Sequence, residues 1–236
     1  VTEVNPNEKW LKVNIDSGWP SPGNDNFLNA DYKWAFIKDK DNLPAFKEGT
    51  EFRLYLTDWE HLSDNIWIYH TQYTSKLKTI EVGDPFVQIS RVDGCLISTS
   101  NSEDITLSNL KLFQSPACML GSGSTSRMNY LDIDMSPKSG NWMSAGADGC
   151  FNLNGREGPW VESCTFNALG DDNLVIKGKG AYIIDVVNDS TFALVNARLK
   201  FVYPLLDFET YSKRDTINKW HVREGDLLEV VDPLQG

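Results

Sequence analysis

The chain is poor in the residues that build metal centres, nucleic-acid surfaces and membrane spans. Its 236 residues include three histidines and four cysteines, and no two cysteines form a CxxC pair. Structural zinc sites cluster these residue types at short spacings, so we expect no metal centre, and nothing implies another cofactor. With 22 basic against 33 acidic side chains, the net charge of −11 argues against a nucleic-acid partner. No apolar run reaches the roughly 18 residues of a membrane span, so we expect no membrane partner either.

The opening stretch VTEVNPNEKW lacks the basic and apolar segments of a signal peptide, so we interpret the chain as a mature or excised one. Aromatic residues, in contrast, are plentiful. Eight Trp, eight Tyr and eleven Phe suffice for a hydrophobic core and leave some rings for stacking on sugars. The length allows one large all-β domain or two smaller ones.

Residues 1–85 are interpreted as a segment of short antiparallel strands. Four apolar or alternating stretches predict these strands: WLKVNI, WAFI, FRLYL and IWI. The segments between them, such as PSPGNDN and KDKDNLP, contain the Pro, Gly, Asn and Asp that favour turns. The pattern predicts a small β-barrel or sandwich.

A repeat of about 23 residues extends from residue 86 to residue 180. Two columns of positions share this period. The first column has spacings of 23, 32 and 23 residues and consists of Cys95, Cys118, Cys150 and Asn173. The second has spacings of 23 and 31 residues and consists of Leu107, Tyr130 and Val161. A repeat of this length with short strands and no helical period predicts a parallel β-helix, whose coils stack strand on strand. We therefore predict an all-β fold, a right-handed parallel β-helix with antiparallel barrel segments on both sides.

Both columns place an insertion of eight or nine residues in the third coil, within SPKSGNWMSAGA at 136–147. This inserted loop comes directly before Asp148, where it is expected to form a wall of a binding site. The cysteines are expected to stack inside the coils as small apolar residues, in preference to forming disulfides.

Residues 181–236 are interpreted as a second antiparallel segment that pairs with a barrel. Strands are predicted at 182–184, 191–195, 201–203 and 227–231, with turns at Asn188-Asp189 and at Glu224-Gly225-Asp226. Four coils are few for a stack whose ends need capping. We therefore expect the chain to work with other parts of a larger enzyme or with copies of itself.

Three carboxylates fall on one edge of the last two predicted coils. Aligning these coils places Asp148 beside Asp171 and Gly149 beside Asp172, with neighbours about 5 Å apart. Like charges at this distance cannot all ionise, so one acid stays protonated and can act as a general acid. Carboxyls about 6.5 to 9.5 Å apart suit an inverting glycosidase, whereas about 5 Å suits a retaining one.

The alternative interpretation is that Asp-Gly only forms a turn, as is expected for Asp93-Gly94 at the same coil position. The double acid in GDDNLVIKG favours a function, because two adjacent carboxylates repel each other without helping a turn.

GADG at 146–149 followed by GDDNLVIKG at 170–178 resembles the β-helical glycoside hydrolases, in which an Asp-Gly motif and a double Asp on the next coil form the catalytic cluster. Polygalacturonase-like enzymes of family 28 share both motifs but add a Gly-His-Gly that this chain lacks. The interruption after the double Asp is more similar to family 110, the α-1,3-galactosidases, which carry β-barrel insertions. VNIDSGWPSP at 13–22 and REGDLLEVVD at 223–232 also resemble barrel strands of that family.

The resemblance implies an inverting, exo-acting galactosidase with Asp148, Asp171 and Asp172 as its acidic cluster. Six further residues on the coils are candidates for binding substrate through hydrogen bonds, charge or ring stacking: Asn152, Asn154, Arg156, Lys177, Trp142 and Trp160. Five of them have a structural alternative, which is an inward ladder for Asn152, a solvated face for the two cations and the core for the two tryptophans.

We therefore expect an extracellular or periplasmic glycoside hydrolase that removes terminal α-linked galactose from an oligosaccharide or polysaccharide by single displacement with water. The acid and base roles stay open among the three aspartates. Alternatives are a polygalacturonase-like glycosidase on an anionic polysaccharide, a non-catalytic β-helix that binds glycan, and a fragment of an enzyme.

Overall fold

The computed structural model describes residues 1–28, 33–50, 52–72, 74–92, 94–178, 181–196, 224, 225 and 227. The chain is all-β, as predicted, with only two four-residue helices among the described residues. None of the described helices is long and apolar enough to cross a membrane. The chain divides into two compact units, Val1–Ile176 and Lys177–Gly236.

The elements are, in chain order, β1 (Glu3–Asn5), β2 (Trp10–Asn14), α1 (Asp25–Leu28), β3 (Trp34–Ile37), β4 (Leu54–Ser63), β5 (Ile66–Thr71), α2 (Thr74–Leu77), β6 (Phe86–Ile89), β7 (Cys95–Ser100), β8 (Thr106–Lys111), β9 (Cys118–Gly123), β10 (Asn129–Met135), β11 (Cys150–Leu153), β12 (Trp160–Glu162), β13 (Thr165–Phe166), β14 (Leu174–Lys177), β15 (Ala181–Asn188) and β16 (Thr191–Asn196).

Residues 1–92, here called the antiparallel region, form one six-stranded sheet. Its order is β1-β2-β5-β4-β3-β6, and every neighbouring pair is antiparallel. The four strands predicted here correspond to β2, β3, β4 and β5. The amide of Gly83 donates to the carbonyl of Val1 at 2.9 Å, so the chain before β6 meets the chain before β1. The sheet therefore curls until its two ends touch.

Residues 94–176, here called the parallel region, contain two parallel sheets. One has the order β14-β11-β9-β7, and the other pairs β10 with β8, β12 and β13. The second predicted column is present, because Tyr130 pairs with Leu107 on one side and with Val161 on the other. A third column of bridges joins Ser115, Ala145 and Leu169. Apolar side chains such as Leu120, Ile133 and Cys150 fill the interior of the region.

The first predicted column is correct at its first step and wrong at its second. Cys95 pairs with Cys118, but Cys150 pairs with Leu120, so the spacing is shorter by two residues than predicted. Side chains of a strand alternate between its two faces, so a shift of two residues keeps the same face inward. The pattern of apolar residues is therefore the same in both registers and does not distinguish them.

The four cysteines are free thiols. Cys150 has no solvent exposure and packs in the apolar interior, as expected of a small apolar residue. Cys95 and Cys118 lie two positions earlier in the register, where both are only half-buried.

The described part of the second unit contains a β-hairpin of β15 and β16. Its turn is stabilised by the amide of Ser190, which donates to Oδ1 of Asn188 at 3.0 Å. These strands and this turn correspond to the predicted ones. The strands predicted at 201–203 and 227–231 lie outside the described residues, apart from Leu227.

Candidate active site

Asp148, Asp171 and Asp172, here called the acidic cluster, converge at the start of two neighbouring strands. Asp148 comes before β11, and the double Asp comes before β14, the next strand in the same parallel sheet. The amide of Gly149 donates to the carbonyl of Asp172 at 2.9 Å and holds the two segments side by side. One carboxylate oxygen from each acid lies within 4.8 Å of the other two. The convergence expected from the repeat is therefore present.

The glycines of the two motifs allow this close approach. A Cβ atom on Gly149 would lie 2.6 Å from the carbonyl oxygen of Asn173, and one on Gly170 would lie 2.8 Å from that of Gly146. Gly149 does not adopt a positive φ, whereas Gly94 does, at 118°. Gly149 thus differs from Gly94, since Gly149 is needed for packing between strands and not for a positive φ.

The three acids differ strongly in their exposure to solvent. Asp148 is 5% exposed, Asp171 is half-buried and Asp172 is exposed. The carboxyl groups of Asp148 and Asp172 therefore occupy different electrostatic environments, although their oxygens lie within 4.8 Å of each other. Such a difference is what separates an acid from a base in glycosidase sites.

The pKa of Asp148 is raised above its ordinary value, chiefly because burial penalises the charged form. The nearby charge of Asp171 raises this pKa further, while the hydrogen bond from Cys118 and the charge of Arg91 oppose the rise. The thiol of Cys118 donates to Oδ2 of Asp148 across 3.4 Å. Asp148 is therefore the member of the cluster best suited to hold a proton.

Asp171 is held by two arginines from the antiparallel region. Nη1 of Arg91 donates to its Oδ2 at 2.6 Å, and Nη2 of Arg53 donates to its Oδ1. Both guanidinium groups also lie over the ring of Trp34, 4.1 Å from its centroid for Arg53 and 4.4 Å for Arg91. The negative charge of this carboxylate is thus compensated, and its orientation is fixed.

The arginines also bear on whether the acidic cluster suits a divalent cation. Such an ion prefers six or more oxygen ligands. Both oxygens of Asp171 already accept a guanidinium hydrogen bond, and these cations would repel a metal ion beside them. The donor set therefore fits proton transfer better than metal binding.

Sequence reasoning missed Arg53, Arg91, Trp34 and Cys118. The two arginines are 118 and 80 residues away from Asp171 along the chain, and no motif or period connects them to it. Cys118 was expected inside the core. The register error of two residues concealed that Cys118 lies at the level of Asp148.

Asn152 takes the inward of its two expected positions. Its side chain is buried, and its Oδ1 accepts hydrogen bonds from Ser122 Oγ and from the hydroxyl of Tyr130, both at 2.7 Å. Its Nδ2 donates to the carbonyl of Val175 at 3.3 Å. Asn152 therefore stabilises the interior of the parallel region.

The structure does not bring Asn154, Arg156 or Trp160 to the acidic cluster. Asn154 and Arg156 follow the end of β11, whereas Asp148 precedes its start, and a four-residue strand is about 13 Å long. Trp160 lies on β12 in the other parallel sheet, and it is 62% exposed. Lys177 is exposed and is the last residue of β14. Their predicted role in binding substrate stays a prediction.

The inserted loop packs against the antiparallel region. Met143 lies in one apolar cluster with Trp34, Phe36 and Ile89. Half-buried Trp142 lines a cavity of about 710 Å³, together with other residues of the loop. The loop thus forms one wall of this cavity. The acidic cluster is not part of the cavity's described lining, so the expected wall of a binding site at the carboxylates stays a prediction.

No protein-family model matches the chain, and no curated protein is significantly similar to it. The chemistry of the site is therefore inferred from its geometry and its motifs.

Proposed function

We propose that the protein is a secreted glycoside hydrolase that removes terminal α-linked galactose from a glycan. We also propose that its parallel sheets are faces of a right-handed parallel β-helix. The convergence of Asp148, Asp171 and Asp172 within 4.8 Å, at three different degrees of burial, is the observation that supports this function best. Cleaving a glycosidic bond needs one group that donates a proton and another that activates water.

In the proposed mechanism, Asp148 is the general acid. Its raised pKa keeps the proton that the leaving oxygen needs. Asp172 is exposed, so water and substrate reach it, and it is the proposed base. Asp171 positions the water together with Asp172, because oxygens no more than 4.8 Å apart can both bind one water at about 2.8 Å.

The proposed reaction is a single displacement with inversion. The carboxylate oxygens of the cluster are no more than 4.8 Å apart, a separation that suits a retaining nucleophile better than the roughly 6.5 to 9.5 Å of inverting enzymes would. Inversion is therefore proposed from the motifs, and the configuration of the first product discriminates between the two mechanisms. Proton NMR of early hydrolysis of an α-galactoside is expected to show β-galactose first. Early α-galactose would overturn single displacement while leaving the glycosidase proposal intact.

Two substitutions test the assigned roles. Asp148→Asn is expected to slow cleavage of α-1,3-galactobiose by about 10²- to 10⁴-fold, and to spare an aryl galactoside whose leaving group needs no proton. Asp172→Asn is expected to slow both substrates by a similar factor. Asp132→Asn, which changes an exposed acid of the parallel region, is the matched control and should keep full activity. Unchanged hydrolysis in Asp172→Asn would remove the catalytic assignment.

A non-catalytic glycan-binding protein is the second candidate. Trp160, which is 62% exposed, favours it because an exposed indole ring can stack on a sugar. The ion pairs of Asp171 with Arg53 and Arg91 also give this acid a structural role that needs no reaction. This candidate predicts glycan binding with no hydrolysis by the native chain. A substrate panel that includes oligogalacturonate also tests cleavage of an anionic polysaccharide.

A further inference from the structure

A cavity of about 710 Å³ lies between the antiparallel region and the inserted loop. Its lining comes from β2, from the turn that carries Trp19, from β6 and from Gly140–Gly146. Cavities of roughly 300 to 1,000 Å³ hold ligands of drug-like size, which is also the size of a disaccharide or trisaccharide.

Two tryptophans line the cavity from different regions of the molecule. Trp19 is contributed by the antiparallel region and is 52% exposed, whereas Trp142 is contributed by the inserted loop and is half-buried. An indole ring offers a rigid apolar face at little entropic cost. The apolar faces of sugar rings stack on such surfaces, so this pair suits a saccharide.

Side-chain amides supply the polar part of the lining. Gln88 accepts a hydrogen bond from the hydroxyl of Tyr69 at 2.8 Å, and Asn141 donates one to Gln114 at 3.2 Å. Each of these bonds orients an amide while engaging only one of its ends. Oriented amides with donor and acceptor capacity match the hydroxyl groups of a sugar.

The charges of the lining favour a neutral ligand over an acidic one. Among the described residues, the lining contains no Lys, Arg or His side chain. Its ionised groups are Asp16, Asp84 and the ammonium of Val1, of which Asp84 already pairs with Lys47 at 2.6 Å and the ammonium donates to the carbonyl of Asp84 at 2.7 Å. A uronate or sulfate would therefore lose its hydration beside Asp16 without gaining a side-chain cation. A neutral sugar meets no such penalty.

We infer that this cavity binds a neutral oligosaccharide of two or three units, at a site separate from the acidic cluster. Trp19 and Trp142 provide the stacking surfaces, and the amides of Gln88 and Gln114 bind hydroxyl groups. The inference does not depend on hydrolysis, because none of these residues belongs to the proposed catalytic machinery.

The test uses isothermal titration calorimetry to measure binding to the Asp172→Asn variant, in which hydrolysis is expected to be about 10²- to 10⁴-fold slower. The probes are α-1,3-galactobiose, maltotriose and cellotriose as neutral sugars and digalacturonate as the acidic one. We expect at least one neutral probe to bind, and digalacturonate to bind at least about tenfold more weakly than that probe.

Three further substitutions in this background locate the site. Trp19→Ala and Trp142→Ala should each weaken binding of the neutral probe by about tenfold, from the loss of ring contact. Gln114→Ala changes an exposed residue and should weaken it without disturbing folding. Trp10→Ala, which changes a tryptophan outside the described lining of the cavity, is the control and should leave the affinity unchanged.

Three outcomes would overturn the inference: no neutral probe binds, digalacturonate binds best, or the Trp19, Trp142 and Gln114 variants bind as Trp10→Ala does. Failure of the catalytic proposal looks different. In that case the native chain releases no galactose, while the cavity substitutions still weaken binding.

Discussion

The antiparallel and parallel regions of the first unit contribute opposite charges to one site. The parallel region supplies the three acids, while the antiparallel region supplies Arg53 and Arg91. Stacked repeats place equivalent residues in columns, so an acid in each of two repeats brings like charges together. The antiparallel region does not follow the repeat, so its side chains are not restricted to these columns and can supply the compensating cations. The site therefore requires both regions.

Each region also buries an ionisable group whose pKa is shifted by burial, Lys38 in the antiparallel region and Asp148 in the parallel region, and the two carry opposite charge when ionised. Lys38 in the antiparallel region has no solvent exposure, and its Nζ donates to the carbonyl of Pro44 at 2.9 Å and lies 3.5 Å from the centroid of the Phe46 ring. Asp148 in the parallel region is nearly as buried. Burial favours the neutral form of both groups, so their effects on stability have opposite pH dependence.

The largest effect is expected from breaking the charge compensation between the regions. Arg91→Met leaves Asp171 with one cation in a half-buried position, and should lower the free energy of unfolding by about 3 kcal/mol. Urea denaturation measures this loss. The double variant Arg91→Met/Asp171→Asn should recover part of it, because the uncompensated charge is gone.

Arg127→Met is the control for that comparison. Arg127 pairs with Asp104, Glu103 and Glu157 on the exposed surface, where solvent screens ion pairs. Its loss should be much smaller than that of Arg91→Met. Equal losses would mean that Asp171 does not depend on the antiparallel region.

A smaller effect is expected from disturbing the packing of the parallel region alone. Gly149→Ala places a methyl group 2.6 Å from the carbonyl oxygen of Asn173, and should cost about 1 to 3 kcal/mol as the strands move apart. Gly123→Ala is the matched control, since no atom lies within 4 Å of its added Cβ. Thermal unfolding compares the two. A loss of similar size in both variants would contradict the packing role of Gly149.

The effect expected from Lys38 appears only as the pH changes. Burial lowers the pKa of Lys38 from 10.5 to about 7 in the folded chain, so the unfolded chain binds more protons between these values. Stability should therefore rise with pH from about 7 to 10.5, by at most about 1.4 kcal/mol per pH unit for this group. Urea denaturation across this range should show the rise in the native chain and its loss in Lys38→Met.

Asp148 should show the reverse dependence. Its pKa is raised in the folded chain, so the folded state binds more protons once the pH exceeds the ordinary value of 3.8. Stability from this group should fall as the pH rises from 3.8 through the raised pKa. The fall should be absent in Asp148→Asn, and a native profile identical to that of the variant would contradict the effect of burial.

Much of the fold could be predicted because local patterns determine it. Apolar stretches bounded by turn residues located β2 to β5 and the hairpin of β15 and β16. The column through Leu107, Tyr130 and Val161 located the second parallel sheet. The pairing of Cys150 could not be predicted, because registers that differ by two residues bury the same face.

The sequence by itself determined the strand-rich fold, the repeat and the meeting of Asp148 with the double Asp. In a regular repeat, residues that are one period apart along the chain lie side by side on neighbouring strands. Only the tertiary structure decided the surroundings of these acids. It buried Asp148 beneath the thiol of Cys118 and placed Arg53 and Arg91 on Asp171. These contacts join segments with no common period, so they depend on how the two regions pack and leave no local pattern in the sequence.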